Sequence, residues 1–438
     1  MGELTTMPKY EAYKDSGVEW LGIVPEHWDL TRIATRFEER RTKVSDKDFP
    51  PLSVTKNGIV PQLSNAAKSN DGDNRKLVKN GDFVINSRSD RKGSSGVADR
   101  DGSVSLINIV MEPKNIVPKY CEYLLKSYNF IEEFYRMGHG IVADLWTTRY
   151  DEMKAVIVSI PPTVEQTAIA NFLDKKTAQI DEAITIKEKQ IGLLKERKQI
   201  IIQQAVTQGL NADAPMKDSG VNWIGQMPEH WGIEKLFGLG RFVRGNSAFA
   251  KDELLSNGKY VALQYGKTYK VDEIDSSYKF YVNDEFYKES QVVNFGDIIL
   301  ISTSETIEDL GHSAIYNRSD VGLLGGEQLL IKPNNDLLDP YYIYYSTKVF
   351  SKELRKYATG IKVFRFNIND LKTIYTVVPP KEEQIKIATY IKDSLDQVDK
   401  VINLQHQQIE KLKEYKITLI NSAVTGKIKV PEVDSEIN

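Results

Sequence analysis

The sequence has few of the residues that build disulfide frameworks, metal centres or membrane spans. It contains one cysteine in 438 residues, which excludes a disulfide framework, and we expect Cys121 to be a buried apolar side chain. Neither a signal peptide nor an apolar run of the ~18 residues that a membrane span needs is visible, so we expect a soluble cytoplasmic protein. No metal-ligand spacing with cysteine or acidic residues links the histidines, which are His27, His139, His230, His312 and His406.

The chain also lacks a strong excess of either charge. Its formal net charge is −3, whereas a basic net charge is the usual sign of a nucleic-acid-binding protein. A DNA-binding protein with this balance would have to segregate its charges onto different faces. The apolar fraction of 41% is enough to build real cores, so wholesale disorder is unexpected.

Motifs of several enzyme classes are missing as well. The segment Gly266-Lys267-Thr268 matches the end of a nucleotide-binding loop, but Val261 stands where the first glycine of that loop is required. The Pro-Pro pairs at 161–162 and 379–380 lack the preceding Asp or Asn and the following aromatic residue of DNA amino-methyltransferases. No glycine-rich cofactor loop or metal-nuclease carboxylate cluster stands out. The sequence therefore indicates a binding protein and not a catalyst.

The feature that is present is a long internal repeat. Residues 14–33 and 217–236 are identical at 11 of 20 positions, and residues 161–208 and 379–426 are identical at 19 of 48 without a gap. Between them, GDFVINSR (81–88) matches GDIILIST (296–303), and each is a Gly-Asp turn followed by a β-branched run. The chain is thus two copies of one unit, each with an arm, a strand-rich globular stretch and a long helix.

The two segments after the Pro-Pro pairs carry heptad patterns typical of paired helices. A polar residue interrupts each pattern, Lys187 in the first and Gln405 in the second. We expect the two helices to pair antiparallel and to end at Gly209 and Gly426; a generic coiled coil is the plainer alternative. The apolar seam positions are Leu173, Ile180, Ile184, Ile191, Leu194, Ile201, Ile391, Leu395, Val398, Ile402, Ile409, Leu412 and Leu419.

A pair of Trp-His clusters also repeats. Trp20, His27 and Trp28 recur as Trp223, His230 and Trp231. Such a cluster could be a site, but an aromatic clasp that closes each repeat is the simpler interpretation.

Taken together, the arm W-[LI]-G-x-x-P-E-H-W, the helix start PP-x-x-EQ and the helix end AVT-[QG] resemble the specificity (S) subunits of type I restriction-modification enzymes. The resemblance covers essentially the whole chain, including its order and duplication. It implies an α+β fold in which two target-recognition domains are joined by two long antiparallel coiled-coil helices, with a pseudo-two-fold internal repeat. The implied domains are 1–160 (arm and first recognition domain), 161–210 (central helix), 211–378 (repeated arm and second recognition domain) and 379–438 (second helix and tail).

The resemblance also implies a function in DNA recognition. Each globular domain would read one half of a bipartite, asymmetric DNA target, while the helices set the spacer and dock the methyltransferase subunits. The expected partners are double-stranded DNA, methyltransferase (M) subunits, two of them, and motor-nuclease (R) subunits, with no membrane. S-adenosylmethionine, ATP and Mg²⁺ would be held by those partners, and this chain would have no catalytic, cofactor or metal site.

Candidate DNA contacts follow from the residue types that read base edges, such as Arg for guanine and Asn or Gln for adenine. In the first domain they follow a strand and are Asn86, Ser87, Arg88, Ser89, Arg91, Lys92 and Ser94, with His139 and Trp146 further on. In the second domain they are Arg241, Arg244, Asn246, Gln264, Tyr265, Lys267, Ser302, Thr303, Ser304, Glu305, Lys362 and Arg365. Lysines among them would hold phosphates. The alternative for each stretch is a solvated loop.

Two other functions remain open. The chain could be a protein-interaction scaffold without DNA readout, or a specificity subunit of a related defence system with another catalytic partner. Strongly salt-dependent binding of duplex DNA would indicate a DNA reader and exclude the protein-interaction scaffold.

Overall fold

The computed structural model describes residues 7–64, 72–140, 146–247 and 249–431. The first six residues of the predicted arm and the last seven of the predicted tail lie outside the described residues. The chain forms two compact units. Unit 1 is Met1–Glu188 with His406–Asn438, and unit 2 is Lys189–Gln405.

The secondary structure mixes short strands with short and very long helices. The strands are β1 Tyr13–Asp15, β2 Ile23–Pro25, β3 Asp29–Arg32, β4 Phe37–Glu39, β5 Lys43–Val44, β6 Leu52–Thr55, β7 Gly58–Pro61, β8 Arg75–Val78, β9 Phe83–Asn86, β10 Ser95–Val97, β11 Gly102–Val104, β12 Asn108–Pro113, β13 Ile157–Ile160, β14 Met216–Asp218, β15 Gln226–Pro228, β16 Gly232–Lys235, β17 Gly240–Arg244, β18 Tyr260–Leu263, β19 Glu273–Ile274, β20 Tyr281–Val282, β21 Val292–Val293, β22 Ile298–Ile301, β23 Thr303–Ser304, β24 Ser313–Tyr316, β25 Gly322–Leu324, β26 Gln328–Pro333, β27 Phe364–Arg365 and β28 Tyr375–Val378. The α-helices are α1 Ile33–Arg36, α2 Pro118–Lys126, α3 Tyr128–Arg136, α4 Tyr150–Met153, α5 Thr163–Gln208, α6 Tyr265–Thr268, α7 Pro340–Leu354, α8 Ile368–Thr373 and α9 Lys381–Val424.

Unit 1 is built on a four-stranded sheet in the order β10-β9-β12-β4 and a three-stranded sheet in the order β11-β8-β5. The central strand β9 is buried along its whole length, which explains its continuous apolar run. One face of the larger sheet packs against α2 and α3 and against the parts of α5 and α9 that belong to this unit. Cys121 lies on α2 and is fully buried, as predicted.

Unit 2 is built on a five-stranded sheet in the order β17-β26-β22-β24-β19 and a four-stranded sheet in the order β20-β18-β25-β21. The larger sheet again packs against a helix that starts at a proline, α7, and against the parts of α5 and α9 within this unit. A second core lies between the two sheets of the unit. Its extra strands account for the greater length of the second copy.

The repeat read from the sequence is preserved at the level of strand register. In unit 1, β9 pairs antiparallel with β12 and places Ile85 opposite Ile109. In unit 2, β22 pairs antiparallel with β26 and places Leu300 opposite Leu329. Since a slip of one residue would turn every side chain to the other face, this shared register confirms the internal repeat.

The repeated Trp-His cluster is a clasp on the first turn of each long helix. In unit 1, Glu165 of α5 accepts hydrogen bonds from Trp28 Nε1 at 3.1 Å and contacts His27 Nε2 at 2.6 Å. In unit 2, Glu383 of α9 accepts from Trp231 Nε1 at 3.0 Å. The acidic residue also favours the positive end of the helix dipole. These contacts form a structural clasp that the glutamate of the PP-x-x-EQ motif closes, whereas Trp20 and Trp223 lie edge-on against Phe130 and Phe350.

The glutamine of the same motif fixes the corner between strand and helix. Gln166 accepts from the backbone N–H of Val117 at 2.8 Å and donates to the carbonyl of Pro161 at 2.9 Å. Gln384 accepts from the N–H of Asp339 at 2.8 Å in unit 2. Both glutamines are buried, and their side chains provide hydrogen-bond partners for backbone groups that would otherwise have none.

The two long helices are 46 and 44 residues long and begin where the sequence predicts. Each is followed by a glycine with positive φ, Gly209 at 78° and Gly426 at 71°, a conformation that glycine adopts readily. The predicted seam faces inward. Its buried members are Leu173, Ile180, Ile191, Ile391, Val398, Ile402, Ile409 and Leu419, and its half-buried members are Ile184, Leu194, Ile201, Leu395 and Leu412.

Lysines within the seam reach the neighbouring helix. In unit 1, Lys416 contacts Asp181 at 2.7 Å and Lys187 donates to Gln408, so the two helix segments run antiparallel. In unit 2, the Lys198 ammonium group on α5 donates a hydrogen bond of 2.7 Å to the Asp399 carboxylate on α9. The predicted antiparallel pairing is therefore found within each unit. Because both units contain parts of both helices, the predicted domain boundaries at 160, 210 and 378 stay a prediction.

Candidate nucleic-acid interface

In unit 1, the segment after β9 meets two other parts of the chain. Arg88 pairs with Thr147 as an isolated antiparallel bridge, and Thr147 pairs in the same way with His139. The Ser89 N–H also donates to the Trp146 carbonyl at 3.1 Å. The segments around residues 88, 139 and 147 are thus brought together, although more than fifty residues separate the first from the others.

The predicted reading segment of unit 1 divides into buried and exposed residues. Asn86, Ser87 and Ser94 are buried, and the Asn86 side chain accepts from the N–H of Arg88 at 3.0 Å. These three residues support the backbone of the segment. Arg88 and Arg91 are exposed, and the Arg91 side chain is 69% exposed. The guanidinium groups are therefore the parts of this segment that a ligand can reach.

Other predicted residues of unit 1 already have partners. Lys92 is half-buried and forms an ion pair with Glu132 at 2.6 Å. His139 is exposed and lies 2.9 Å from a carboxylate oxygen of Glu152. The Trp146 indole donates to the Tyr135 carbonyl at 2.7 Å, so this side chain is held against α3. Ser89 is half-buried in a short 3₁₀ turn that ends at residue 91.

In unit 2, the equivalent segments form the same arrangement with different residues. Thr303 pairs with Arg365 in the two-stranded sheet of β23 and β27, and Arg365 pairs with Thr359 as an isolated bridge. By sequence repeat and by pairing, Thr303 stands where Arg88 stands in unit 1, and Arg365 stands where Thr147 stands. We call these three-segment arrangements the reading clusters of the two units.

The predicted residues around this second reading cluster again differ in exposure. Ser302 and Ser304 are buried, Thr303 is half-buried, and Glu305 is exposed. Lys362 and Arg365 are exposed on the segment opposite. The predicted segments 302–305 and 362–365, which lie about sixty residues apart in the chain, are therefore paired side by side.

A cavity of about 530 Å³ lies beside this cluster in unit 2. Its lining combines residues that the sequence singled out with others that it did not: Arg244, Gly245, Asn246, Ser247, Phe249, Gln264, Tyr265, Gly266, Gly325, Gly326 and Glu327. The cavity depends on glycine, because a Cβ atom on Gly245 would lie 1.8 Å from the Gly325 carbonyl oxygen. Arg241, three residues before Arg244 on β17, points to the opposite face of that strand.

Tyr265 joins the cavity to the reading cluster. Its ring stacks on Tyr269 with centroids 5.8 Å apart. Burial raises the pKa of Tyr265, although a hydrogen bond with the Ser304 side chain lowers it in part. The phenol is therefore protonated at neutral pH and can donate a hydrogen bond. Lys267 instead lies with its Nζ 4.5 Å from the centre of the Phe280 ring.

Two buried glutamines, Gln328 and Gln291, hold the walls of this cavity, and no sequence motif pointed to them. Gln328 accepts from Thr268 Oγ1 at 2.6 Å and donates to the Leu263 carbonyl at 2.7 Å. Gln291 accepts from the backbone N–H of Asn246 at 3.0 Å. Gln328 begins β26, and the Gln291 side chain bonds to the backbone at the end of β17. Their role could be recognised only once the strand pairing was known.

Two further kinds of site were sought among the described residues. Within them, no group of three or more His, Cys, Asp or Glu side chains could hold a metal ion. Over the same described part of the chain, no helix combines the length and apolar character needed to cross a bilayer.

Comparison with known proteins agrees with this picture. Residues 228–414 match the family model described as the type I restriction modification DNA specificity domain. A putative type I restriction enzyme MjaX specificity subunit of Methanocaldococcus jannaschii is 25% identical over 94% of this chain and 96% of its own length. The MjaVIII specificity subunit of the same organism is 23% identical over 94% and 95%.

Solved structures share the fold. A chain from a study of complex assembly and conformational transition of the type I R-M system matches with a TM-score of 0.69 and 15% identity, over 92% of this chain and 98% of that one. The HsdS subunit of Thermoanaerobacter tengcongensis matches with a TM-score of 0.56 and 16% identity over the same shares. The sequence matches confirm the resemblance to specificity subunits, and the structural matches confirm the two-domain fold with its long helices.

Proposed function

Because residues 228–414 match the type I restriction modification DNA specificity domain and two specificity subunits align with 94% of the chain, we propose that this chain is a type I specificity subunit, the DNA-reading and scaffolding subunit of such a system. Each unit reads one half of a bipartite, asymmetric DNA target through its reading cluster. The long helices set the length of the unread spacer and dock two methyltransferase subunits. The chain works in the cytoplasm.

One observation carries this proposal. The two reading clusters have the same backbone pairing but different side chains at equivalent positions. Arg88 and Thr147 in unit 1 correspond to Thr303 and Arg365 in unit 2. A fixed frame that displays variable, exposed Arg, Lys and Glu side chains is suited to reading base edges, because each residue type matches a different donor and acceptor pattern. Two frames with different residues favour two different half-sites.

The chemistry of modification and cleavage belongs, in this proposal, to other subunits. The methyltransferase subunits hold S-adenosylmethionine and modify adenine, and the motor-nuclease subunits use ATP and Mg²⁺. This chain has a non-catalytic role, which agrees with its lack of a nucleotide-binding loop and of a methyltransferase Pro-Pro motif.

Methylome sequencing tests the proposal most directly. Cells that express this chain with its methyltransferase partner are compared with cells from which this chain alone is deleted. A split adenine motif that disappears with the deletion supports the DNA-reading function and gives both half-sites. An unchanged methylome contradicts it and favours a protein scaffold.

Binding measurements separate the remaining alternatives. A DNA reader held partly by phosphate contacts loses affinity steeply as salt rises, because binding releases counterions. A protein scaffold without DNA readout would bind neither specific nor random duplex in this manner. Identification of the copurifying catalytic subunit distinguishes a type I system from a related defence system.

A further inference from the structure

A single isoleucine stands at the tip of a hairpin in the second reading cluster. Ile361 is 96% exposed, which makes it the most exposed large apolar side chain among the residues that the structure describes. The hairpin is closed by the paired residues Thr359 and Arg365. An apolar side chain so completely surrounded by water makes little contact with its own chain, so its whole surface is open to a ligand.

The backbone of this hairpin holds Ile361 outward. Gly360, directly before it, has φ of 117°, and a Cβ atom there would lie 1.9 Å from the Val363 carbonyl oxygen. Only glycine fits both the backbone conformation and the contact. The turn is thus tight, and it projects residue 361 from the end of the two paired strands.

The surroundings of Ile361 identify duplex DNA as the ligand. Lys362 and Arg365 are exposed on the same hairpin, so the segment that carries the apolar tip also carries cationic groups that suit phosphates. The opposite side of Arg365 pairs with Thr303 of the reading cluster. A two-stranded ribbon of this kind fits the major groove of B-DNA. On the base edges in that groove the one apolar group is the 5-methyl group of thymine.

We propose that Ile361 contacts the 5-methyl group of a thymine in the half-site read by unit 2 and contributes to the specificity of that half-site. This inference rests on the proposed DNA-reading function. It adds a residue that reads by apolar contact to a cluster in which Glu305, Lys362 and Arg365 are the exposed charged members. The contact buries a methyl group against a branched side chain, and its loss lowers affinity roughly three- to tenfold.

Deoxyuridine substitution tests the proposal, because it removes the thymine methyl group and leaves base pairing intact. The full chain, bound to its methyltransferase partner, is titrated with duplexes in which each thymine of both half-sites is replaced in turn. Wild type loses affinity roughly three- to tenfold at one position. Ile361→Ala binds the unsubstituted duplex more weakly by a similar factor and no longer responds to deoxyuridine at that position.

Leu337→Ala is the matched control, because Leu337 is another exposed apolar residue of unit 2, and its carbonyl accepts from Gln384 at the start of α9. This variant should respond to deoxyuridine as wild type does. The proposal is overturned if no position responds, if Ile361→Ala keeps the response, or if neither half-site contains thymine. A variant that binds DNA normally but loses its protein partner overturns it as well. Failure of the DNA-reading function itself is recognised separately, since wild type would then show no sequence preference.

Discussion

At the scale of single residues, the two units differ most where their backbones agree. The bridge that joins Arg88 to Thr147 in unit 1 corresponds to the pairing of Thr303 with Arg365 in unit 2, so the bridge contains one arginine in each unit, but on a different segment. Arginine binds guanine through O6 and N7 in a bidentate manner. If each cluster enters the major groove as proposed, the displaced arginine presents the same chemistry at a different base step.

Arg88 and Arg91 should determine one half-site only. Each base contact is worth about 1–3 kcal/mol, so Arg88→Ala with Arg91→Ala is expected to weaken or relax one half of the target roughly tenfold or more and to leave the other half unchanged. The methylated motif and the affinity for single-base variants of each half-site measure this effect. Changes in both half-sites, or in neither, would show that the reading segment is misplaced.

Arg100→Ala provides the control for that experiment. Arg100 is exposed and pairs with Asp99 at 2.7 Å, near the end of β10 that lies away from Arg88. It has the same charge as Arg88 but lies outside the reading cluster. Its removal should change neither half-site.

The polar segments near the reading clusters were predictable from the sequence, but the direction of each side chain was not. Arg88, Arg91, Lys362 and Arg365 are exposed, whereas neighbouring serines such as Ser304 are buried. A short polar stretch does not reveal which of its residues support the backbone, because hydrogen bonds to distant segments decide this. Only the pairing across about sixty residues brings the segments together.

At the scale of elements, the long helices were the most predictable part of the fold. Their heptad patterns and terminal glycines are local signals, and the seam faces inward as expected. The strand pairing of each sheet was less accessible, since register depends on partners far apart in the chain. The additional strands of unit 2 interrupt the repeat, and the sequence showed them only as extra length.

The hairpin that carries Ile361 should be sensitive to its glycine. Gly360→Ala introduces a Cβ atom into contact with the Val363 carbonyl oxygen at a positive φ, with a cost of about 1–3 kcal/mol confined to the hairpin. We expect loss of recognition of the half-site read by unit 2, with little change in the melting temperature of the chain.

Gly238→Ala is the matched control for the hairpin experiment, because a Cβ atom there has no neighbour within 4 Å. Equal loss of recognition in both variants would mean that the effect is not specific to the hairpin. A large drop in melting temperature of Gly360→Ala would mean that the hairpin supports the whole fold.

The clasp on α9 should make unit 2 sensitive to acid. Burial by itself would raise the pKa of Glu383, but hydrogen bonds from Trp231 and His230 outweigh it and the pKa is lowered overall. A carboxylate with a lowered folded-state pKa stabilises the fold above its unfolded pKa of about 4.3, and that stability is lost as pH falls through the folded value. Glu383→Gln should cost roughly 0.5–1 kcal/mol at pH 7, an amount limited by the partial exposure of the group.

Urea unfolding at a series of pH values checks this prediction. The difference between wild type and Glu383→Gln should shrink as pH falls below the ordinary glutamate range. Glu382→Gln is the control, since Glu382 is the neighbouring first-turn carboxylate and is exposed. If the two variants lose the same stability at every pH, the clasp has no specific electrostatic contribution.

At the scale of the whole molecule, the internal duplication allows candidate functional residues to be recognised by comparing the two units. The arm, the sheet register and the helix start recur with the same contacts in each unit, so a residue that differs between equivalent positions stands out against a constant frame. The repeat predicted that frame from the sequence alone. It could not predict the bases, because base choice depends on a few exposed side chains whose geometry the frame determines.

Lengthening both helices should change the spacer and nothing else. Seven residues inserted after Lys187 and seven after Gln405 preserve the heptad seam and add about 10 Å to each helix at ~1.5 Å per residue. At ~3.4 Å per base pair, the spacer in the methylated motif should grow by about three base pairs, with both half-sites unchanged. Two-residue insertions at the same points rotate the seam by about 200°, away from its partner, and they should abolish modification. An altered half-site sequence, or an unaltered spacer in a well-folded variant with the longer insertions, would contradict the idea that the helices measure the distance between the half-sites.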